Sequence, residues 1–138
     1  MDSNVKVAIR CRPLSSKETG RGCNNIVRIS NNAVRIEKVS DGLEAKEFVF
    51  DHCYDIDSKQ EQVYVDLGQP LLTQALDGFN GTIFAYGQTG SGKSFSMMGS
   101  DEHKGIIPQL NDNLWIQLAE IIRKAGSADT AKYMITVS

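Results

Sequence analysis

The 138-residue sequence predicts an α/β fold, and three observations support that prediction. The segment VKVAIRCRP, residues 5–13, alternates apolar and polar side chains, as a strand with one buried face does. A short apolar strand, TIFAY at 82–86, leads into a glycine-rich loop and then into a helix. Two longer segments carry apolar residues at helical spacing. Alternating strands and helices are typical of α/β proteins.

The first half of the chain is predicted to contain three strands and a polar loop. In the first strand, the side chains expected on the buried face are Val5, Val7, Ile9 and Cys11, and Pro13 ends the strand. The segment LSSKETGRGCNN, residues 14–25, reads as a loop. The runs AVRIEKV at 33–39 and EFVFDHCY at 47–54 read as further strands.

A helix is predicted to begin at Ser58, where Glu61 three residues later completes a capping box. Pro70 lies inside this helix and predicts a kink or a restart, because proline has no N–H to donate. Gly78 is expected to end it. The apolar stripe of the helix consists of Val63, Leu67, Leu71, Ala75 and Leu76.

The helix that follows the glycine loop is predicted to be short, because it soon reaches Gly99 and the polar insert GSDEHKG at 99–105. A second helix is predicted from around Pro108 to Gly126. Its apolar stripe consists of Leu110, Leu114, Leu118, Ile121 and Ile122. The run KYMITVS at 132–138 begins another predicted strand.

Composition and charge argue against several function classes. With a net charge of −2, the chain has no overall positive charge that would attract nucleic acid. No apolar run approaches the roughly 18 residues of a membrane helix. The N-terminus has no signal-peptide pattern. The three cysteines, Cys11, Cys23 and Cys53, lack metal-ligand spacing and are expected to be reduced thiols in a cytosolic protein.

The glycine loop carries the chemistry that the sequence predicts most directly. In AYGQTGSGKSFSMMG, residues 85–99, Gly87, Gly92, Lys93 and Ser94 match the pattern G-x-x-x-x-G-K-[ST]. Glycines let backbone N–H groups surround a triphosphate, the lysine adds a positive charge, and the Ser94 hydroxyl can bind Mg²⁺. The sequence therefore predicts a phosphate site formed by Gly87, Gln88, Thr89, Gly90, Ser91, Gly92, Lys93 and Ser94, with Mg²⁺ on Ser94.

Hydrolysis needs additional groups that bind the metal and place a water molecule, and the sequence does not supply them clearly. No acidic residue after the loop ends an apolar strand. Asp51 does end one, but it precedes the loop and is expected to cap a turn. Phe95 could lie beside a base or belong to the core, and Arg10 and Arg12 could lie on a solvated strand edge. Spacing alone favours those structural interpretations.

The sequence resembles the first part of a kinesin motor domain over nearly all of its length. The matching segments are RCRP (10–13), FVFDHCY (48–54), EQVY (61–64), GFNGTIFAYGQTGSGKS (78–94) and GIIP (105–108). GKSFSMMG and GIIPQL resemble class-three, cargo-transport kinesins in particular. The resemblance implies a P-loop NTPase fold, a mixed sheet with helices on both faces, and makes 1–138 the N-terminal part of one motor domain whose sheet is incomplete.

The resemblance also implies ligands and partners. Arg10, Arg12 and Pro13 would flank the adenine of ATP or ADP, Phe95 would stack on it, and Gly87 to Ser94 would hold the phosphates and Mg²⁺. The whole motor would move along microtubules by hydrolysing ATP, in the cytoplasm and on the cytoskeleton, without binding nucleic acid or inserting into membranes. Phe79 and Asn111 depart from common family residues at positions outside this chemistry.

Two alternatives to a microtubule motor remain open at this point. The family's γ-phosphate sensors and its principal microtubule-binding elements would lie beyond Ser138, so residues 1–138 alone are expected to be inactive. The chain could therefore be a non-motor remnant that binds nucleotide without turnover. An unrelated small P-loop phosphotransferase is disfavoured by RCRP and by the long match around the loop.

Overall fold

The computed structural model describes residues 5–37, 44–125 and 134–136. Its elements are β1 (Ala8–Arg10), α1 (Ser16–Gly20), β2 (Val27–Ser30), β3 (Ala33–Ile36), β4 (Lys46–Val49), β5 (His52–Tyr54), α2 (Gln60–Val63), a π-helical turn (Tyr64–Gly68), α3 (Gln69–Leu76), α4 (Lys93–Met97) and α5 (Ile106–Ala125). The predicted helix end at Gly126 lies outside the described residues. So does most of the predicted strand 132–138, of which residues 134–136 form no strand.

The described strands form two small sheets. Strands β1 and β5 pair in parallel, with Ala8 opposite His52 and Arg10 opposite Tyr54. Strands β2, β3 and β4 form an antiparallel sheet. The prediction of one strand over 47–54 is therefore wrong, because this segment bends at residues 50–51 and supplies one strand to each sheet. Of the predicted strand 33–39, residues 38–39 lie outside the described residues, and β3 ends at Ile36.

Asp51 lies at this bend and fixes the start of β1. Its carboxylate accepts a hydrogen bond from the N–H of Val7 at 2.8 Å, and its own N–H donates to the Val7 carbonyl at 3.1 Å. The bond from Val7 lowers the pKa of the Asp51 carboxyl. These contacts are structural, as expected for Asp51, but its carboxylate bonds to the start of the neighbouring strand rather than capping the turn that follows.

The prediction of which face of the first strand is buried is wrong in part. Val5 and Val7 are exposed, whereas Ala8, from the opposite face, packs against the hydrophobic core. The strand is also shorter than predicted, with only three residues in the ladder. Alternation reveals that a strand has two faces, but the neighbouring helices decide which face they cover.

Two elements in the N-terminal third were not predicted. Residues 14–25 were expected to be a loop, but they contain α1, which is stabilised by a capping box between Ser15 and Glu18. The Glu18 carboxylate accepts from the Ser15 N–H at 2.7 Å. Strand β2 was also missed, although VRIS-NN-AVRI has the form of two strands joined by an Asn-Asn turn with Asn31 at φ 53°.

The capping box predicted at Ser58 is also wrong. The N-cap is Lys59 and no side chain caps the helix, because the Ser58 hydroxyl accepts a hydrogen bond from Arg10 instead. The predicted interruption near Pro70 takes the form of the π-helical turn just before it. Pro70 has no N–H to offer the carbonyl four residues earlier, and it sits in the first turn of α3.

The hydrophobic core lies between β5, the helical segment 60–76 and α5. The buried members are Tyr54, Val63, Tyr64 and Ile106, packed by Ala8, Leu67, Ile83, Met97 and Leu110. Ile83 comes from TIFAY, which was predicted to be a strand. Residues 79–87 have no regular structure, and no described strand pairs with them, so that prediction is wrong here. Phe84 and Tyr86 are 82% and 96% exposed.

The predicted split of the helix after the glycine loop is confirmed. Helix α4 has five residues, and α5 begins at Ile106, two residues before the predicted start at Pro108. The connecting insert is tight, since Gly99 bridges to Lys104 and the Gly105 N–H donates to the Met98 carbonyl at 3.0 Å.

The close backbone approach at Gly105 predicts that a side chain there is destabilising. A Cβ at this position would lie 2.5 Å from the Met97 carbonyl oxygen, so backbone atoms would have to move. We expect Gly105→Ala to lower the free energy of unfolding by about 1–3 kcal/mol, measured by urea denaturation. Gly20→Ala is the control, because its Cβ would meet open space. Equal stabilities for the two variants would contradict this packing.

The two buried tyrosines of the core predict opposite effects of losing a hydroxyl. The Tyr54 hydroxyl donates to the Asp66 carboxylate at 3.0 Å, whereas the buried Tyr64 hydroxyl has no partner among the described residues. Tyr54→Phe should destabilise by about 1–2 kcal/mol, and Tyr64→Phe should be neutral or stabilising. Thermal and urea unfolding of both variants measure the difference. A larger loss for Tyr64→Phe would show that its hydroxyl is bonded.

Candidate functional site

The glycine loop has a backbone that only glycine adopts readily. Gly92 lies at φ 99°, in the left-handed region, immediately before α4. A Cβ on Gly87 would lie 2.5 Å from the Ser91 hydroxyl oxygen, which shows how closely the two ends of the loop approach. The spacing of the motif therefore corresponds to a folded turn rather than to a flexible polar stretch.

Several N–H groups of this loop are available to an anion. The Ser91 N–H donates to the Gln88 carbonyl at 3.1 Å. Within the described part of the chain, no acceptor meets the backbone N–H groups of Gly90, Gly92, Lys93 and Ser94. Exposed N–H groups in a glycine loop and in the first turn of the following helix suit phosphate oxygens.

Lys93 folds back over the loop that precedes it. Its ammonium group donates to the carbonyls of Gly87 and Gln88, both at 2.8 Å. The side chain is therefore already placed above the loop, where its charge can face a bound phosphate. A phosphate oxygen is a stronger acceptor for an ammonium group than a neutral carbonyl.

Ser94 fits the role of a magnesium ligand by its chemistry. Its side chain is exposed, and its hydroxyl has no hydrogen-bond partner among the described residues. Mg²⁺ prefers oxygen ligands and commonly uses few protein groups together with substrate phosphates. Residues 5–37, 44–125 and 134–136 contain no cluster of three or more His, Cys, Asp or Glu side chains placed to hold a metal ion.

A cavity of about 840 Å³ adjoins the glycine loop, a size suited to a small-molecule ligand. It brings together six of the predicted site residues, namely Arg10, Arg12, Pro13, Ser91, Gly92 and Phe95. The other predicted residues do not line it and form the adjoining loop and helix start: Gly87, Gln88, Thr89, Gly90, Lys93 and Ser94. Segments about 80 residues apart in the sequence thus meet at one site.

Arg10 is held on several sides rather than pointing freely into the cavity. Its guanidinium donates to the Ser58 hydroxyl and carbonyl at 3.3 and 3.1 Å, to Gln60 Oε1 at 2.5 Å and to the Ser96 hydroxyl at 3.0 Å. It also lies 5.3 Å from the centroid of the Phe95 ring, within cation–π distance. Burial lowers the pKa of Arg10. Arg10 therefore joins β1, the start of α2 and α4.

Arg12 connects α1 to the glycine loop. Its guanidinium forms two 2.8 Å hydrogen bonds with the Glu18 carboxylate, and its Nε donates to the Gly90 carbonyl at 2.7 Å. The bonds from Arg12 and Ser15 hold the pKa of Glu18 far below its usual range. The pair is thus an ion pair at neutral pH, and it fixes the loop at Gly90.

Sequence reasoning missed two residues of this site, Glu18 and Gln60. The pattern S-x-x-E at 15–18 signalled Glu18, as it does in any capping box. Gln60 is 8% exposed, and its side chain bonds to Arg10 and to the carbonyls of Phe95 and His103. Helical spacing could have found it, because Gln60 lies three residues before Val63 and seven before Leu67 on the predicted apolar stripe, whereas Gln62, exposed in the same helix, lies off that stripe.

The carboxylates around the cavity lie on the side of the polar insert and α2. Those that line it are Asp57, Glu61, Asp101 and Glu102. Among the described residues, none of these carboxylates forms a hydrogen bond with the glycine loop. The described part of the site therefore combines N–H groups that suit an anion with an adjoining cavity whose carboxylates are not bonded to the glycine loop.

Comparisons with known proteins agree on one family. A family model described as kinesin motor domain matches residues 10–138. The chain is 40% identical to kinesin-like protein Klp68D of Drosophila melanogaster over 121 residues, covering 83% of this chain and 15% of that protein. It is 39% identical to kinesin-like protein KIF1A of Rattus norvegicus over 147 residues, covering 99% of this chain and 8% of that protein.

The structure also matches a solved motor. It superposes on KIF14 with ADP in complex with a microtubule, with a TM-score of 0.79 and 37% identity, over 87% of this chain and 35% of that one. The chain thus spans about a third of that structure and a smaller share of the curated relatives. The resemblance to class-three kinesins is not confirmed, since relatives of different names match at nearly equal identity. No described helix is long and apolar enough to cross a membrane.

The Arg12–Glu18 pair predicts a measurable titration. Replacing Arg12 with Gln should raise the pKa of Glu18 toward the ordinary value of about 4.3, because the bond from Arg12 is the main cause of its depression. A depressed carboxyl pKa stabilises the fold above that ordinary value, and the stabilisation is lost as the pH falls through the folded-state pKa. Carbon NMR of the Glu18 carboxyl group measures its pKa in the wild-type chain and in Arg12→Gln.

Arg28→Gln is the control for this titration. Arg28 pairs with Glu37, at 3.1 Å, in the antiparallel sheet, so its loss should leave the pKa of Glu18 unchanged. An unchanged Glu18 pKa in Arg12→Gln would show that the ion pair does not form.

Proposed function

The chain belongs to the kinesin motor domain family, and on that premise we propose that it is the ATP-binding part of a motor that moves along microtubules by hydrolysing ATP. The observation that carries this proposal is the meeting of the G-x-x-x-x-G-K-S loop with a cavity lined by Arg12, Pro13 and Phe95. The loop suits a triphosphate, and the cavity suits a base.

The phosphate end of the proposed site uses the loop and Lys93. The available N–H groups of residues 90–94 would donate to phosphate oxygens, and Lys93 would exchange the carbonyls of Gly87 and Gln88 for the terminal phosphates. Ser94 would hold Mg²⁺ through its hydroxyl, and the ion would neutralise part of the phosphate charge. Arg12 would keep the loop in place through its bond to Gly90.

The base end of the proposed site uses the segment 10–13 and α4. Phe95 is 44% exposed, so an adenine can stack on the open part of its ring while Arg10 contacts the ring from the protein side. Pro13 and the aliphatic part of Arg12 offer apolar surface to the base. Arg10 supports the pocket here rather than contacting the base through its guanidinium, which is already hydrogen-bonded.

The proposed partners are ATP or ADP with Mg²⁺, and microtubules. KIF14, which this chain resembles, is solved with ADP on a microtubule. A microtubule motor works on the cytoskeleton in the cytoplasm, and the net charge of −2 supports no role in nucleic-acid binding.

Lys93→Ala should weaken binding of magnesium ATP at least tenfold, because it removes a charge-assisted contact to the terminal phosphates. Calorimetric titration of the wild-type and variant chains measures this change. Lys17→Ala removes the same charge from α1, which contributes no lysine to the cavity, and should leave the affinity unchanged. Unchanged affinity in Lys93→Ala would exclude the loop as the phosphate site.

A polypeptide of residues 1–138 is expected to bind nucleotide without turning it over. The described residues place no carboxylate in hydrogen-bond contact with the glycine loop, and the net charge of −2 gives no attraction to an acidic filament. Phosphate release should match buffer alone, with or without microtubules, and the chain should not cosediment with them. Microtubule-stimulated turnover would reveal a catalytic group among these residues.

A further inference from the structure

Gln60 is a buried polar residue whose side chain is fully engaged. Its Oε1 accepts from Arg10 at 2.5 Å, and its Nε2 donates to the Phe95 carbonyl at 2.6 Å and to the His103 carbonyl at 3.3 Å. Its backbone carbonyl accepts from the Gln109 amide at 3.3 Å. One amino acid at the start of α2 thus bonds to β1, α4, the polar insert and α5.

The chemistry of these contacts requires a neutral amide. One end of the group faces a cation, and the other end faces two carbonyl oxygens. A carboxylate could accept from Arg10 but would place negative charge against the two carbonyls. An apolar side chain would remove all three bonds, leaving Arg10 only its bonds to Ser58 and Ser96 and the His103 carbonyl only its bond from the Ser100 N–H. Buried polar groups without partners are costly, so substitution should displace the segments that Gln60 joins.

Those segments form the base side of the cavity. Arg10, Phe95 and His103 all line it, as does Gln60 itself. The glycine loop is held by different contacts, from Arg12 to Gly90 and from Lys93 to Gly87. A substitution at Gln60 should therefore displace the residues on the base side before it affects the glycine loop.

We propose that Gln60 is a positioning residue that sets the spacing between Phe95 and the insert at 101–104, and thereby determines affinity for the base and ribose of the nucleotide. It acts through Arg10, Phe95 and His103 and does not contact the phosphates. This inference rests on the proposed nucleotide site and adds a specificity-determining residue to it.

The test compares two ligands that share phosphates but differ in the base. Affinities of magnesium ATP and magnesium tripolyphosphate are measured for the wild-type chain and for Gln60→Glu, by competition with a fluorescent ADP analogue. We expect Gln60→Glu to lower the affinity for ATP about tenfold, while the affinity for tripolyphosphate changes less than about twofold. Gln62→Glu is the matched control, with the same charge change two residues along α2 on an exposed side chain, and should match wild type for both ligands.

The outcomes separate this inference from the function on which it rests. One outcome is that wild type binds ATP but Gln60→Glu lowers the affinity for both ligands equally, or for neither ligand. Gln60 then has no base-side role, and the proposed site remains. If wild type binds neither ligand, the proposed function fails and the inference fails with it.

A measurement on the unaltered chain covers the case in which the variant does not fold. In ¹⁵N-labelled wild type, the side-chain amide protons of Gln60 should exchange slowly with water and shift more on addition of ADP than of tripolyphosphate. The exposed amide of Gln62 provides the reference. Fast exchange at Gln60, or equal shifts with both ligands, would overturn the proposal.

Discussion

The guanidinium group of Arg10 is partly withdrawn from water and has to find its hydrogen bonds inside the protein. It finds them on Ser58, Gln60 and Ser96, which belong to the start of α2 and to α4. A buried cation without such partners would be strongly destabilising, so these segments are held at fixed positions around it. The cavity beside the glycine loop is bounded by the same segments and depends on this contact.

Two different sets of hydrogen bonds hold the two parts of the site. Arg10 and Gln60 hold β1, α4 and the polar insert together around the cavity, whereas Arg12 and Lys93 hold the glycine loop through its carbonyls. The two halves meet at α4, whose first residue faces the loop and whose Phe95 faces the cavity. A ligand that touches both halves gains from two preorganised surfaces, which suits a nucleotide better than an isolated phosphate.

Part of this account could be predicted from the sequence. The fold of the glycine loop was predictable because its residue types are imposed by local backbone geometry, as the left-handed Gly92 illustrates. The split after α4 was predictable for the same reason, since Gly99 and the polar insert interrupt a helix locally. These features depend on neighbours in the sequence.

Other features depend on contacts between distant segments, and sequence reasoning failed there. Ser58 was expected to cap its helix, but Arg10, 48 residues away, uses its hydroxyl. TIFAY has the composition of a strand, yet a strand needs a hydrogen-bonded neighbour, and the described residues place none beside it. Helical spacing places Gln60, unlike Gln62, on the face of Val63 and Leu67, but the partners of its side chain in α4 and the insert lie 35 and 43 residues away and could not be predicted.

The most direct measurement is a backbone and side-chain NMR titration of the labelled chain with magnesium ADP. The account predicts that the largest shifts occur in residues 87–95 and 10–13, together with the Gln60 side-chain amide. Shifts concentrated instead at the second cavity, of about 490 Å³ and lined by Asn31, His52 and Asp66 among others, would contradict it. The absence of shifts in the glycine loop would do the same.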